Sequence, residues 1–85
     1  MKIEELLDIA GMNSLVFKLE SPIYIDNFKK LLESESWEKI YTEEDSEWAG
    51  FGNFIVEYKK GPYRAVLFCD PDGYVFKVDL FKEDK

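Results

Sequence analysis

The chain has 85 residues, of which 46% are hydrophobic and 34% charged, and its formal net charge at pH 7 is −7. A second hydrophobic core needs roughly 50 further residues, so the length predicts one domain over residues 1–85. The hydrophobic content excludes a disordered chain, and the longest apolar run, Ala65–Cys69, is too short to span a membrane.

The first half of the chain predicts helix, strand and helix in turn. Apolar residues at helical spacing predict a helix over Lys2–Ala10, and Gly11 is suited to end it in a left-handed conformation. The apolar period then changes to two, which predicts a strand over Leu15–Glu20 with one buried face. The Ser21-Pro22 pair is typical of a helix start, and we expect a second helix to run from there to Ser34.

The second half predicts four strands, at Trp37–Thr42, Phe54–Tyr58, Ala65–Cys69 and Tyr74–Leu80. Between the first two of these strands, a loop is predicted over Glu43–Glu47, followed by a glycine-containing bulge or lip over Trp48–Asn53. Gly61-Pro62 and Asp70–Gly73 are predicted turns.

These elements predict an α+β fold with the order α-β-α-β-β-β-β. Two short helices would pack on one face of a mainly antiparallel sheet of four or five strands. Ala65–Cys69 is apolar at every position, which predicts a central strand that is covered on both faces.

The amino acids that the chain lacks exclude several kinds of catalytic and metal site. The chain has no His and one Cys, Cys69, so it has no imidazole base, no Cys-His pair and no zinc site built from several thiolates or imidazoles. We therefore expect a protein that is not an enzyme and has no cofactor or metal. Cys69 is interpreted as a packed thiol, and the carboxylates of Asp70 and Asp72 as parts of a turn.

The number of cysteines and the N-terminal residues indicate the cellular compartment. One Cys cannot form an internal disulfide, and the start Met1–Glu5 carries acids where a secretion signal has bases, so we expect a cytoplasmic protein. Lys and Glu are abundant while Gln, His and Cys are scarce, a bias that heat-adapted proteomes share.

The segment Tyr63–Leu80, with its Asp70-Pro71-Asp72-Gly73 turn between two strands, resembles the closing hairpin of a vicinal-oxygen-chelate module of the glyoxalase and bleomycin-resistance superfamily. The upstream elements are similar to the βαβββ unit of that superfamily. The resemblance implies the fold of such a module without its metal chemistry. Lys77 stands where that superfamily has its final-strand glutamate, and the first-strand histidine has no counterpart.

Most of the net charge lies in one segment. Glu33–Glu47 contains seven acids and one base, Lys39, which gives −6 of the total −7. Large aromatic residues beside charge are typical of protein interfaces. The candidate protein-binding residues are Glu35, Trp37, Glu38, Glu43, Glu44, Asp45, Glu47, Trp48 and Phe51. A solvated, merely solubilising surface remains the alternative interpretation of this segment.

Three functions remain open. The first is a non-enzymatic protein-interaction or regulatory module, whose partner is another protein or a second copy in a homodimer. The second is a catalytically inert small-molecule-binding module of the vicinal-oxygen-chelate type, which would need a second copy to enclose a cavity. The third is an acidic mimic of nucleic acid. The negative charge argues against nucleic-acid binding, and no segment favours a membrane partner.

Overall fold

The computed structural model describes residues 2–43 and 52–83. Within these residues the elements, in chain order, are α1 (Glu5–Ala10), β1 (Ser14–Tyr24), α2 (Ile25–Ser34), β2 (Glu38–Glu43), β3 (Phe54–Lys60), β4 (Tyr63–Cys69) and β5 (Tyr74–Lys82). The strands form one antiparallel sheet in the spatial order β1-β5-β4-β3-β2. The predicted α+β class and element order are confirmed.

β4 is the central strand of the sheet, as its apolar sequence predicts. It pairs with β3 on one side and with β5 on the other. Leu67 is fully buried on the face that carries the helices, whereas Val66 and Phe68 are buried on the opposite face. Both faces of β4 therefore exclude water, which explains why its sequence does not alternate.

Both helices pack on the same face of the sheet, which confirms the predicted arrangement. Leu7 of α1 and Phe28 and Leu32 of α2 belong to one core cluster with Tyr58 and Leu67 of the sheet. The opposite face carries a smaller cluster of three buried residues, with two partly buried phenylalanines packed against it: Ile55, Val66, Phe68, Phe76 and Phe81.

The predicted boundaries of α1 are right at one end only. The helix begins at Glu5 and not at Lys2, and it ends at Ala10 as predicted. Gly11 follows with φ 65°, and its N–H donates to the carbonyl groups of Asp8 and Leu7. A glycine adopts this left-handed conformation without the steric cost that a side chain brings.

The predicted start of α2 at Ser21-Pro22 is wrong, because β1 continues to Tyr24 and the helix begins at Ile25. Pairing between β1 and β5 is interrupted after Lys18 and resumes at Ile23, so Pro22 lies in a stretch that needs no ladder N–H. The N–H of Ile25 then donates to the carbonyl of Gly73 over 2.8 Å. A tertiary contact, and not the local proline signal, sets the start of the helix.

The predicted strand after α2 is confirmed with a shift of one residue. β2 spans Glu38–Glu43, so Trp37 precedes it, and Glu43 belongs to the strand and not to the predicted loop. The register with β3 shifts between Lys39 and Tyr41. That irregularity explains why the apolar residues here follow no single period. The remainder of the predicted loop and most of the Trp48–Asn53 bulge lie outside the described residues.

Candidate functional site

The helix-bearing face of the sheet is unevenly covered. α2 packs against β1 and β5, at one side of the sheet. On the β2 and β3 side of the same face, the described helices reach Tyr58 of β3, which shares the core cluster with Leu7 and Leu32. A cavity of about 580 Å³ lies there, between α2, the two strands and the turn that follows β4.

The walls of the cavity combine apolar side chains with two ammonium groups and one hydroxyl. Its described lining comprises Ile25 and Lys29 of α2, Lys39 and Thr42 of β2, Phe54 and Val56 of β3, and Gly52 and Pro71 of the adjoining turns. Lys29 lies one helical turn after Ile25, so both side chains share one face of α2. Lys39 pairs with Tyr58 and Thr42 with Val56, and both partners belong to the helix-side core.

The turn between β4 and β5 fixes the helix wall of the cavity. Oδ1 of Asp70 accepts hydrogen bonds from the backbone N–H groups of Asp72 (3.0 Å) and Tyr74 (2.9 Å). Gly73 has φ 92°, and a Cβ there would lie 3.2 Å from Cε1 of Tyr24. Because the Gly73 carbonyl accepts from the first N–H of α2, this tight glycine turn positions Ile25 at the cavity.

A second glycine contact lies beside the cavity, between the segment before β3 and the β4–β5 turn. Gly52 has φ 79°, and a Cβ built on it would lie 3.4 Å from Cγ of Pro71. The backbone before β3 therefore approaches the β4–β5 turn closely, in a conformation that side chains rarely adopt.

The described lining is electropositive in a chain whose net charge is negative. It includes Lys29 and Lys39 and no acidic side chain. Close to this wall, Cys69 is fully buried at the end of β4. Burial, and next the charge of Asp70, raise the pKa of the Cys69 thiol to about 12, while Lys29 opposes this shift. The thiol is therefore neutral near pH 7 and does not compensate the two ammonium charges.

Comparison with known proteins identifies a viral relative. The chain is 36% identical over 83 residues to the uncharacterized protein E-96 of Sulfolobus spindle-shape virus 1, and the match covers 92% of this chain and 86% of E-96. The chain belongs to the E-96 family. No protein-family model matches it, and no solved structure matches it significantly.

In this member of the E-96 family, few of the predicted protein-binding residues form a described surface. Glu38 is exposed and Glu35 is half-buried. Trp37 is only 3% exposed and belongs to the core, so its assignment to a docking surface is wrong. It lies directly before β2, its backbone N–H donates to the carbonyl of Leu32, and its side chain packs in the helix-side core cluster.

The other predicted binding residues cannot be placed on a surface. Glu43 is the last residue of β2. Five more lie outside the described residues: Glu44, Asp45, Glu47, Trp48 and Phe51. The acidic protein-binding surface therefore stays a prediction.

Sequence reasoning missed Lys29 and Lys39 as site residues. The sequence places Lys29 on the polar face of the predicted second helix, one turn after Ile25, and this spacing is the same wherever the helix begins. The spacing was the one signal for Lys29, and it could not show that this part of the helix lines a cavity with β2 and β3. Lys39 offered no such signal, because it stands alone among the acids of Glu33–Glu47.

Two other features, a metal site and a membrane-spanning helix, are not found among the described residues. No group of three or more His, Cys, Asp or Glu side chains with the geometry of a metal site occurs among residues 2–43 and 52–83. Within the same ranges, no helix has the length and apolar character needed to cross a membrane.

Proposed function

We propose that this E-96 family member is a non-catalytic binding protein that holds a small, largely apolar molecule in the cavity between α2 and the β2–β3 side of the sheet. The observation that carries the proposal is the cavity itself. Its volume of about 580 Å³ lies within the range of about 300–1,000 Å³ that is usual for small-molecule sites.

The lining supports binding in preference to catalysis. Phe54 and Pro71 offer most of the accessible apolar surface, since Ile25 and Val56 are 8% and 2% exposed, and the hydroxyl of Thr42 offers one hydrogen-bonding group. Sites of this composition gain affinity from apolar burial and orientation from a few polar groups. The chain contains no imidazole that could act as a base near neutral pH.

The cavity is built from one chain, so this function does not require the second copy that a vicinal-oxygen-chelate site would need. The fully buried Cys69 is the one cysteine of the sequence, which suits a reducing compartment. We therefore propose the cytoplasm as the place where the protein acts.

The test fills the cavity and measures the binding of a neutral apolar dye, Nile red, by fluorescence titration. Thr42→Trp places an indole at a residue that lines the cavity on the edge strand β2. Tyr41→Trp is the matched control, because Tyr41 is the adjacent residue, is 48% exposed and pairs with Glu57 on the opposite side of the sheet. Thermal unfolding of each variant checks that the fold is retained.

We expect the wild type and Tyr41→Trp to bind the dye with similar affinity, and Thr42→Trp to bind it about tenfold more weakly, because the indole occupies the space that the dye needs. Equal binding by the two variants, or no binding by the wild type, would contradict the proposed function.

A further inference from the structure

We infer that the cavity takes an amphipathic organic anion, whose carboxylate or phosphate is held by Lys29 and Lys39 while its hydrocarbon body contacts Ile25, Phe54 and Pro71. The inference rests on the proposed function and adds the chemical class of the ligand. It follows from where the two lysines lie, from the charge around them and from the apolar surface beside them.

The two lysines reach the cavity from different walls. Lys29 is half-buried on α2, and Lys39 is an exposed residue of β2 in the strand position that faces the helices. Lysine packs its methylene groups along apolar surface and keeps its ammonium group at the polar end. The arrangement therefore offers two positive groups at the rim of an apolar volume, as an amphipathic anion requires.

The charges of these lysines are not neutralised within the described chain. Neither ammonium group forms an ion pair with a described residue, whereas Lys60 pairs with Glu4 at 2.6 Å and Arg64 pairs with Glu83 at 3.0 Å. The described lining also contains no acid. Two like charges that share a cavity repel each other, and an anion placed between them removes that repulsion.

Asp70, an acid of the β4–β5 turn, is engaged elsewhere. Asp70, whose charge acts on Cys69 together with that of Lys29, uses Oδ1 to accept two backbone hydrogen bonds of the β4–β5 turn. Its carboxylate maintains the turn and forms no ion pair with either cavity lysine. Glu33 lies one turn after Lys29 on α2, and its charge helps to raise the pKa of Tyr58, but it is exposed and forms no ion pair with either cavity lysine. Among the described residues, the two lysines therefore have no paired acid, and an anionic ligand suits them.

The experiment compares ligands that share one hydrocarbon chain and differ in the head group. Decanoate, decyl phosphate and 1-decanol are titrated below their micelle concentrations at pH 7, and displacement of Nile red reports binding. The double variant Lys29→Gln with Lys39→Gln removes both cavity charges. Its matched control is Lys30→Gln with Lys59→Gln, which removes the same net charge from the same helix and from the neighbouring strand.

The control lysines do not line the cavity. Lys30 is exposed next to Lys29 on α2, and Lys59 pairs with Glu38 and Arg64, on the face away from the helices. Any effect of overall charge on the approach of an anion is therefore equal in the two double variants, and a difference between them reports the cavity alone.

We expect the wild type and the control variant to bind at least one of the two anions about tenfold or more tightly than 1-decanol. In the cavity variant that preference should disappear while the affinity for 1-decanol is retained. Which anion binds more tightly distinguishes a carboxylate from a phosphate ligand.

The possible failures are distinguishable. Similar affinities of the wild type for all three ligands, or equal loss of anion binding in both double variants, would overturn the anion assignment while the proposed function stands. If the wild type bound neither the dye nor any of the three ligands, both proposals would be overturned.

Discussion

Adjacent leucines on α2 provide a direct test of how this helix is oriented on the sheet. Leu32 is fully buried and Leu31 is 52% exposed. Leu→Ala at a fully buried position costs about 3–5 kcal/mol, because it removes apolar contact and leaves a cavity. At Leu31 about half of the transfer energy of three carbon atoms is lost and no cavity forms, which amounts to about 1 kcal/mol.

The assay is urea unfolding followed by circular dichroism, with thermal unfolding alongside. Both variants make the same change of residue in one helix, so helix propensity cancels and the difference of about 2–4 kcal/mol reports burial alone. For a domain of this size that difference lowers the Tm of Leu32→Ala by about 8–30 °C more than that of Leu31→Ala. Equal losses would mean that α2 is rotated about its axis, which would also move Lys29 away from the cavity.

Two further predictions concern the sheet. Leu67→Ala should lower the free energy of unfolding by about 2–5 kcal/mol, because Leu67 is fully buried between Val56 and Val78 on the central strand, and a loss below about 1 kcal/mol would contradict its place in the core. Burial raises the pKa of Asp79 above its ordinary value of 3.8, with Lys77 opposing, so this carboxyl group contributes stability that is lost as the pH rises through its folded pKa. Asp79→Asn should therefore stabilise the protein at pH 7 by denaturant titration and lose that advantage below pH 3.8, and a less stable variant at pH 7 would refute the reasoning.

The sequence was most informative where burial alone decides the structure. Ala65–Cys69, the greater part of β4, is apolar at every position, and this predicts a central strand without any knowledge of its neighbours. The Asp70–Gly73 turn was equally predictable, since the Asp70 side chain and the positive φ of Gly73 act within the turn itself. Such elements can be predicted because the residues that determine them lie within the element itself.

The wrong predictions concern features that contacts with a distant part of the chain determine. Ser21-Pro22 is a good local signal for a helix start, but the pairing of Ile23 and Tyr24 with β5 extends β1 beyond it. Likewise, the acids around Trp37 predict a surface residue, but Trp37 packs in the core cluster with Leu32 and Tyr58. Local patterns could not show either contact.

The positive charge of the cavity could not be predicted either, because charge counted along a strand does not show which of its two faces each side chain occupies. Glu33–Glu47 has a charge of −6 when it is counted along the chain, and Lys39 is its one base. In β2, however, Glu38 pairs with Lys59 while Lys39 pairs with Tyr58, so the acid and the base are on opposite faces of the sheet. A segment that is acidic as sequence thus contributes a positive group to the cavity.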